Sequence, residues 1–430
     1  MSADIAIGED SPLDDRIRGV PPGGETRLEG LHPAEGVIAL PVLTLSLPDY
    51  ERNRDAMMRY VREQGVAIAP HAKTPTAPVI AADLLAAGAW GTTVADIRQA
   101  TVMARAGLTR LILANGVGGR GGARRLAAFI AAYPDVELYL FVDSAATAGA
   151  LAQVWQATPA LPPLRVLVEV GAARGGARDL AAAEAVIATV QASAGRLVLA
   201  GAAAYEGAVS EATPERTAEV QAGLLTLAGR VLVRVRQTTG DRRPLVLTAG
   251  GSVYFDRVVS SLRPVALADG ATTLVLRSGA IFYEDHGTYR HHLAEMDARG
   301  GFQVDGRTSP SSAVFRPTMR VWAEVLSCPE PGLAICGMGK RDVSFDEGLP
   351  VALERYRDGA GPVDLTGTVR LTQLNDQHGF LALGAGADIC VGDVVAFGLS
   401  HPCTAFQLYR QVLGLDANGR VSRVIPTFFG

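Results

Sequence analysis

Val66-Ala67-Ile68-Ala69-Pro70-His71-Ala72-Lys73-Thr74 opens on four apolar residues and closes on a proline followed by a polar, lysine-bearing turn. A short apolar run bounded by turn signals fits a strand buried on both faces, and Lys73 then stands just past its C-terminal end. Outward from this stretch the same unit recurs. Upstream, the apolar run Val37–Leu45 precedes the helically spaced stretch Pro48–Gln64. Downstream, helix-like Pro78–Ala87 precedes Gly91–Val94, Asp96–Ala106 precedes Arg110–Leu113, and Ala123–Ala132 precedes Glu137–Val142. Ala145–Gln156 leads to Arg165–Val170, Leu180–Ala194 to Leu197–Ala203, Glu215–Arg236 to Leu245–Ala249, and Val253–Ser261 to Thr273–Arg277. Short apolar strands alternating with helical segments denote βα units and parallel pairing. Eight or so consecutive units between residues 38 and 285 predict an α/β fold, a TIM-type (β/α)8 barrel, in preference to a doubly wound open sheet.

From about Gly300 the texture changes. Thr318–Leu326, Leu333–Cys336, Val363–Leu374, Phe380–Leu383, Val394–Phe397 and Val421–Pro426 are short strand-like runs separated by Gly, Pro and Asp, with no long helical period between them. They predict a C-terminal all-β domain over 300–430, following a barrel over 37–299 and a leader over 1–36 that packs on the β-domain. Asp4, Glu9, Asp10, Asp14 and Asp15 make that leader acidic, unlike a signal peptide. A net charge of −4, without a basic stripe, gives nucleic-acid binding no electrostatic support. The longest apolar runs fall short of the ~18 residues of a membrane helix, so no membrane partner and a cytoplasmic location are expected. The cysteines Cys328, Cys336, Cys390 and Cys403 match no CxxC-type zinc spacing, and in a reducing compartment no disulfide framework is expected. The first three are expected to be small buried side chains.

Only Lys73 and Lys340 are lysines among forty basic residues. A composition that replaces lysine by arginine nearly everywhere draws attention to the survivors, because arginine stays charged and cannot form an imine. Barrel active sites lie where the strands end. Lys73 follows the strand 66–69, and Arg174-Gly175-Gly176 and Tyr205-Glu206-Gly207 follow two middle strands. Thr248-Ala249-Gly250-Gly251-Ser252 and Arg277-Ser278-Gly279 follow the last two. Gly-rich turns at helix starts can hold a phosphate on backbone N–H groups. A lysine at the first strand end and two such turns at the last, neighbouring ends suit a ligand with one aldehyde and one phosphate. Lys340, in a β-domain loop, is expected to be a solvated charge.

At these residues the chain resembles the fold-type III pyridoxal-phosphate enzymes with an alanine racemase-like barrel, and within them the D-serine dehydratase and D-threonine aldolase branch. The resemblance rests on Pro70-His71-Ala72-Lys73-Thr74, Ala86-Ala87-Gly88-Ala89, Val168-Glu169-Val170, Arg174-Gly175-Gly176, Tyr205-Glu206-Gly207, Gln377-His378-Gly379 and His401-Pro402-Cys403, and it spans about 38–420. It implies pyridoxal 5′-phosphate as cofactor, with Lys73 as Schiff-base lysine and proton carrier. Gly250, Gly251, Ser252, Ser278 and Gly279 would hold the phosphate, and His71, Arg174 and Tyr205 would lie beside the cofactor. Pro75-Thr76 stands where many relatives have a second lysine, and Ala203 where many have glutamine. A homodimer, each β-domain contributing to the partner's barrel, is also implied.

His401 and Cys403 flank Pro402 just after the strand 394–397, and an i, i+2 pair in an extended segment points both side chains one way. Imidazole and thiolate suit Zn2+, with Mn2+ the harder alternative, and two protein ligands leave positions open. The resemblance adds that the dehydratase branch carries His-x-Cys here, whereas the aldolases carry His-x-Asp. A metal at that point would assist loss of a β-hydroxyl. The resulting expectation is a pyridoxal-phosphate and metal-dependent lyase acting on a small D-3-hydroxy amino acid, first of all a D-serine dehydratase giving pyruvate and ammonia. A D-threonine aldolase, or a dehydratase or aldolase of D-3-hydroxyaspartate, is the alternative within that class. An amino acid racemase and a non-catalytic pyridoxal-phosphate carrier are the readings outside it. His378 could support the metal or the substrate, Asp285 and Tyr289 could cap the cofactor site or a turn, and His286, His291 and His292 are expected at the surface.

Overall fold

The computed structural model describes residues 18–20, 27–358 and 360–429. The acidic leader residues named above lie outside them. The chain divides into two compact units, one built from Met58–Lys73 with Ile80–Gly279, the other from Met1–Met57 where described, Thr74–Val79 and Ala280–Gly430 where described.

The strands are β1 (Val42–Ser46), β2 (Ala67–Ile68), β3 (Thr92–Val94), β4 (Arg110–Leu113), β5 (Glu137–Val142), β6 (Leu164–Val170), β7 (Leu197–Ala204), β8 (Leu245–Ala249) and β9 (Thr272–Leu276). In the first unit β2 to β9 form one parallel sheet in the order β2-β9-β8-β7-β6-β5-β4-β3. Its two ends meet. Trp90 N–H donates to Ile68 O at 2.7 Å, Thr93 N–H to Pro70 O at 3.0 Å and Ala72 N–H to Thr93 O at 2.8 Å. The eight strands therefore close into the expected barrel. The seam is irregular because Pro70 has no N–H to add to a ladder. The interior is filled by Ala69, Ile112, Phe141, Leu167, Ala200, Ala203, Val246 and Val275, contributed by strand after strand. Outside, Asp96, Ser144, Asp179 and Thr213 cap the helices Ile97–Arg105, Ala145–Ala157, Leu180–Gln191 and Pro214–Thr239, each accepting from an N–H three residues on. These caps end the loops that leave the strands.

The second unit carries a largely antiparallel ten-stranded sheet. It overturns the expected start of the barrel. β1 pairs antiparallel with Met319–Glu330 and parallel with Gln411–Leu415, so Val42–Ser46 belongs to this sheet. Helix Thr288–Ala298 also belongs to this unit, and the boundary falls at Ala280 rather than at residue 300. Val351–Arg357 and Gln411–Leu415 are strands the sequence pattern did not single out, and the expected run 363–374 is two strands, Ala360–Asp364 and Val369–Leu374. Val20 and Leu28 of the leader join Val42, Trp322, Val394 and Leu413 in this unit's core, so the described part of 1–36 packs there.

Candidate active site

In the barrel unit every proposed cofactor residue stands at a strand's C-terminal end, and contacts link them. Lys73 follows β2 and its backbone N–H donates to His71 Nδ1 at 3.3 Å. Gly279 lies so close to His71 that a Cβ on it would meet the His71 carbonyl oxygen at 2.5 Å. Its N–H donates to Ser252 Oγ at 3.2 Å. Ser278 donates its hydroxyl to Gly251 O at 2.9 Å, and Arg174 lies over the Tyr205 ring at 4.6 Å. Burial drives the His71 pKa well below its ordinary value, and the positive charges of Lys73, Arg277 and Arg174 act in the same direction. Burial and charge thus both disfavour a protonated His71.

The Gly250 and Gly251 N–H groups, expected to face a phosphate, meet a carboxylate of the chain itself in this structure. Those two donors already hold an anion, the fully buried carboxylate of Glu206, at 3.1 Å to Gly250 N and 2.7 Å to Gly251 N. A Gly-Gly turn is a good anion nest, and here the chain fills it with its own side chain. The motif Tyr205-Glu206-Gly207 by itself assigns Glu206 no role. The available signal was an acid directly after the long apolar run of β7, where a carboxylate needs partners. Arg277 likewise carries no distinguishing mark in the sequence. It is buried, donates to Thr248 Oγ1 at 2.8 Å and Ala204 O at 2.7 Å, and lies over the Phe141 ring. Burial lowers its pKa, opposed by the charges of Glu206 and Glu169. Glu169 is itself buried, and desolvation raises its pKa against the pull of Arg277. An amine, two hydroxyls, a backbone N–H and a buried arginine at the strand ends fit a phosphorylated aldehyde by their chemistry.

In the second unit His401 and Cys403 are brought together, though not as expected. Pro402–Phe406 is a short helix with His401 at its N-cap and proline at the first helical position, so the pair does not sit in an extended segment. Proline's fixed φ starts a helix readily. The two side chains still meet by hydrogen bonding. Burial opposes a charged His401, but hydrogen bonds to Cys403 and Asp346 and their negative charges outweigh it and raise its pKa to about 9. His401 Nδ1 lies 2.7 Å from Asp346 Oδ2, and Cys403 Sγ lies 3.1 Å from Thr74 Oγ1. Among the described residues no three His, Cys, Asp or Glu side chains group as a metal site. Imidazole nitrogen and thiol sulfur are donors whose chemistry suits a divalent metal such as Zn2+.

The other candidates separate. His378 is exposed in the turn before strand Gly379–Leu383. Asp285 caps a turn, accepting from Gly287 N–H and Tyr289 N–H at 2.8 and 2.9 Å. His286 is not a surface residue. Gly398 backs onto its ring, its buried Nδ1 has no hydrogen-bond partner, and burial lowers its pKa to about 4. His291 and His292 face Glu295 on the helix Thr288–Ala298. Cys336 is buried, but Cys328 and Cys390 are exposed, against expectation. Lys340 is exposed, its amine 6.0 Å from the Phe345 ring.

Comparison with known proteins agrees with this division. Residues 45–252 match the alanine racemase N-terminal domain, and 318–415 match a putative serine dehydratase domain. A D-threonine aldolase from Arthrobacter sp is 28% identical over 375 residues, 86% of this chain and 87% of that one. Among solved structures, D-threonine aldolase from Filomicrobium marinum superposes with a TM-score of 0.71 at 23% identity, covering 94% of this chain and 98% of its own. D-threo-3-hydroxyaspartate dehydratase from Delftia sp. HT23 gives 0.70 at 20%, covering 93% and 100%. With the barrel, the lysine turn and both domain matches in place, the chain belongs to the fold-type III pyridoxal-phosphate family.

Proposed function

We propose that the protein is a metal-dependent lyase of D-3-hydroxy amino acids that eliminates the β-hydroxyl, with D-serine the first candidate substrate and pyruvate and ammonia the products. The observation that carries this reading is the thiol of Cys403 beside the imidazole of His401, in the stretch matched by the serine dehydratase domain. Thiolate with imidazole favours Zn2+ over the harder Mn2+. The D-threonine aldolase and D-threo-3-hydroxyaspartate dehydratase named above support the substrate class, since both names specify D-configured 3-hydroxy amino acids.

Pyridoxal phosphate, when bound, supplies a sink for the electron pair left on the substrate's α-carbon. Lys73 would hold its aldehyde carbon and then carry the α-proton. Ser252, Ser278 and Gly279 would hold its phosphate, while the Gly250 and Gly251 N–H groups, taken by Glu206, shape the turn. Arg174 and Tyr205, already stacked, would border its ring. His71 accepts the Lys73 N–H at Nδ1 and so steadies the lysine turn. His401 and Cys403 would hold the metal, and a Lewis acid there lowers the cost of losing hydroxide.

The test is a panel of D- and L-amino acids assayed for keto acid, ammonia and aldehyde, with metal analysis alongside. Pyruvate and ammonia from D-serine, abolished by chelation, are expected. Aldehyde and glycine from D-threonine without keto acid would establish the aldolase reading, which the Arthrobacter relative favours. Enantiomer exchange alone would mean a racemase, and bound cofactor without any turnover a carrier.

A further inference from the structure

We propose that Asp346 is the positioning carboxylate of the metal pair, holding His401 by Nδ1 so that Nε2 is the nitrogen offered to the metal. The inference rests on the metal reading above. Both Asp346 oxygens are committed within this site. Oδ2 lies 2.7 Å from His401 Nδ1 and Oδ1 accepts from Thr404 Oγ1 at 2.8 Å. Thr404 stands on the short helix that His401 caps, so one carboxylate grips two points of the same turn. Such a carboxylate cannot rotate away without losing both bonds. A carboxylate accepting from one imidazole nitrogen fixes the ring's tautomer and orientation and raises the basicity of the other nitrogen.

Stability alone gives this arrangement little reason to exist. The side chains of His401 and Asp346 are 23% and 43% exposed, and exposed ion pairs contribute roughly 0–1 kcal/mol. Asp346 lies in the loop between strands Leu333–Cys336 and Val351–Arg357, remote in sequence from His401, and nothing in the local pattern marks it. Geometry alone brings it to the imidazole.

The experiment measures the zinc dissociation constant of the full chain by chelator competition, with pyridoxal phosphate bound. Asp346→Asn should weaken zinc roughly 10- to 100-fold, and Asp346→Glu should recover part of the loss. Thr404→Val should weaken it less, in the same direction. With Co2+ in place of zinc, Asp346→Asn should keep the thiolate-to-cobalt absorbance from Cys403 while shifting the ligand-field bands. Wild-type zinc affinity and an unchanged cobalt spectrum in Asp346→Asn would overturn the proposal. His401→Ala separates the two levels. If it abolishes zinc binding while Asp346→Asn does not, the metal reading stands and the positioning role falls. If His401→Ala leaves zinc affinity intact, the metal reading itself falls. Should Asp346→Asn not fold, Thr404→Val with an unchanged zinc affinity overturns the proposal instead.

Discussion

Glu206 is the residue at which sequence and structure part most instructively. A fully buried carboxylate is costly unless its oxygens are paired, and here two consecutive backbone N–H groups take both of them. The negative charge also faces the buried guanidinium of Arg277. Replacing one oxygen by an amide nitrogen points a donor at a donor, so Glu206→Gln should loosen the Gly250–Gly251 turn that leads into Ser252. Hydrogen bonds to charged groups contribute about 1.5–3 kcal/mol, so pyridoxal phosphate should bind roughly tenfold to a hundredfold more weakly. Pyridoxal without its phosphate should be nearly unaffected. Absorbance titration of both ligands decides the matter. Tighter binding of the phosphate ester in Glu206→Gln would instead show that the carboxylate competes with phosphate for the nest. Composition and strand order single out Lys73, a scarce residue at a strand end, and only the family resemblance assigns it to the cofactor. Glu206, Arg277 and Asp346 are not singled out, because arginine and acids are common in this chain and only the folded contacts distinguish these three.

At the scale of elements, β7 shows why local pattern stops short of register. Its pairing with β6 slips by one residue after Leu199, and the extra residue is accommodated at Gly201, whose φ is +141°. A Cβ there would stand 1.8 Å from the carbonyl oxygen of Val246 on β8. Both the backbone conformation and the space therefore demand glycine. Gly201→Ala should cost at least about 3 kcal/mol, as a backbone clash inside a core does, read as a lowered urea midpoint at unchanged slope. A loss below about 1 kcal/mol would mean that β7 and β8 separate freely at this point. The eight barrel strands were visible because apolar runs alternate with helical periods. β1 was assigned to the wrong sheet because an apolar run such as Val42–Ser46 carries no mark of its partner. Val351–Arg357 was missed because Glu354, Arg355 and Arg357 interrupt its apolar alternation, their charges being answered by Arg320, Asp388 and Asp393. His401 and Cys403 come together, but not in the extended segment expected of them. Proline following the strand was read as extended chain, whereas it begins a helix.

At the scale of the molecule, the residues proposed for the cofactor and those proposed for the metal fall in different units, each with its own buried core. Loading of the two groups of residues can therefore be read separately. Lys73→Ala should lose the absorbance near the visible edge that marks attached pyridoxal phosphate while retaining zinc. Chelation, or Cys403→Ala, should remove zinc while leaving that absorbance in place. Each treatment should abolish lyase turnover, since proton removal and hydroxide departure belong to one elimination. Retained cofactor should also raise the thermal midpoint of the chelated protein, because a ligand bound only by the folded state adds about 2.7 kcal/mol at a hundredfold excess over its dissociation constant. Loss of the absorbance on chelation would mean that the metal pair helps hold the cofactor. A chelated protein that still turns D-serine into pyruvate would mean that the β-hydroxyl leaves without a Lewis acid, and the proton would then have to come from a group such as the buried, pKa-raised Glu169.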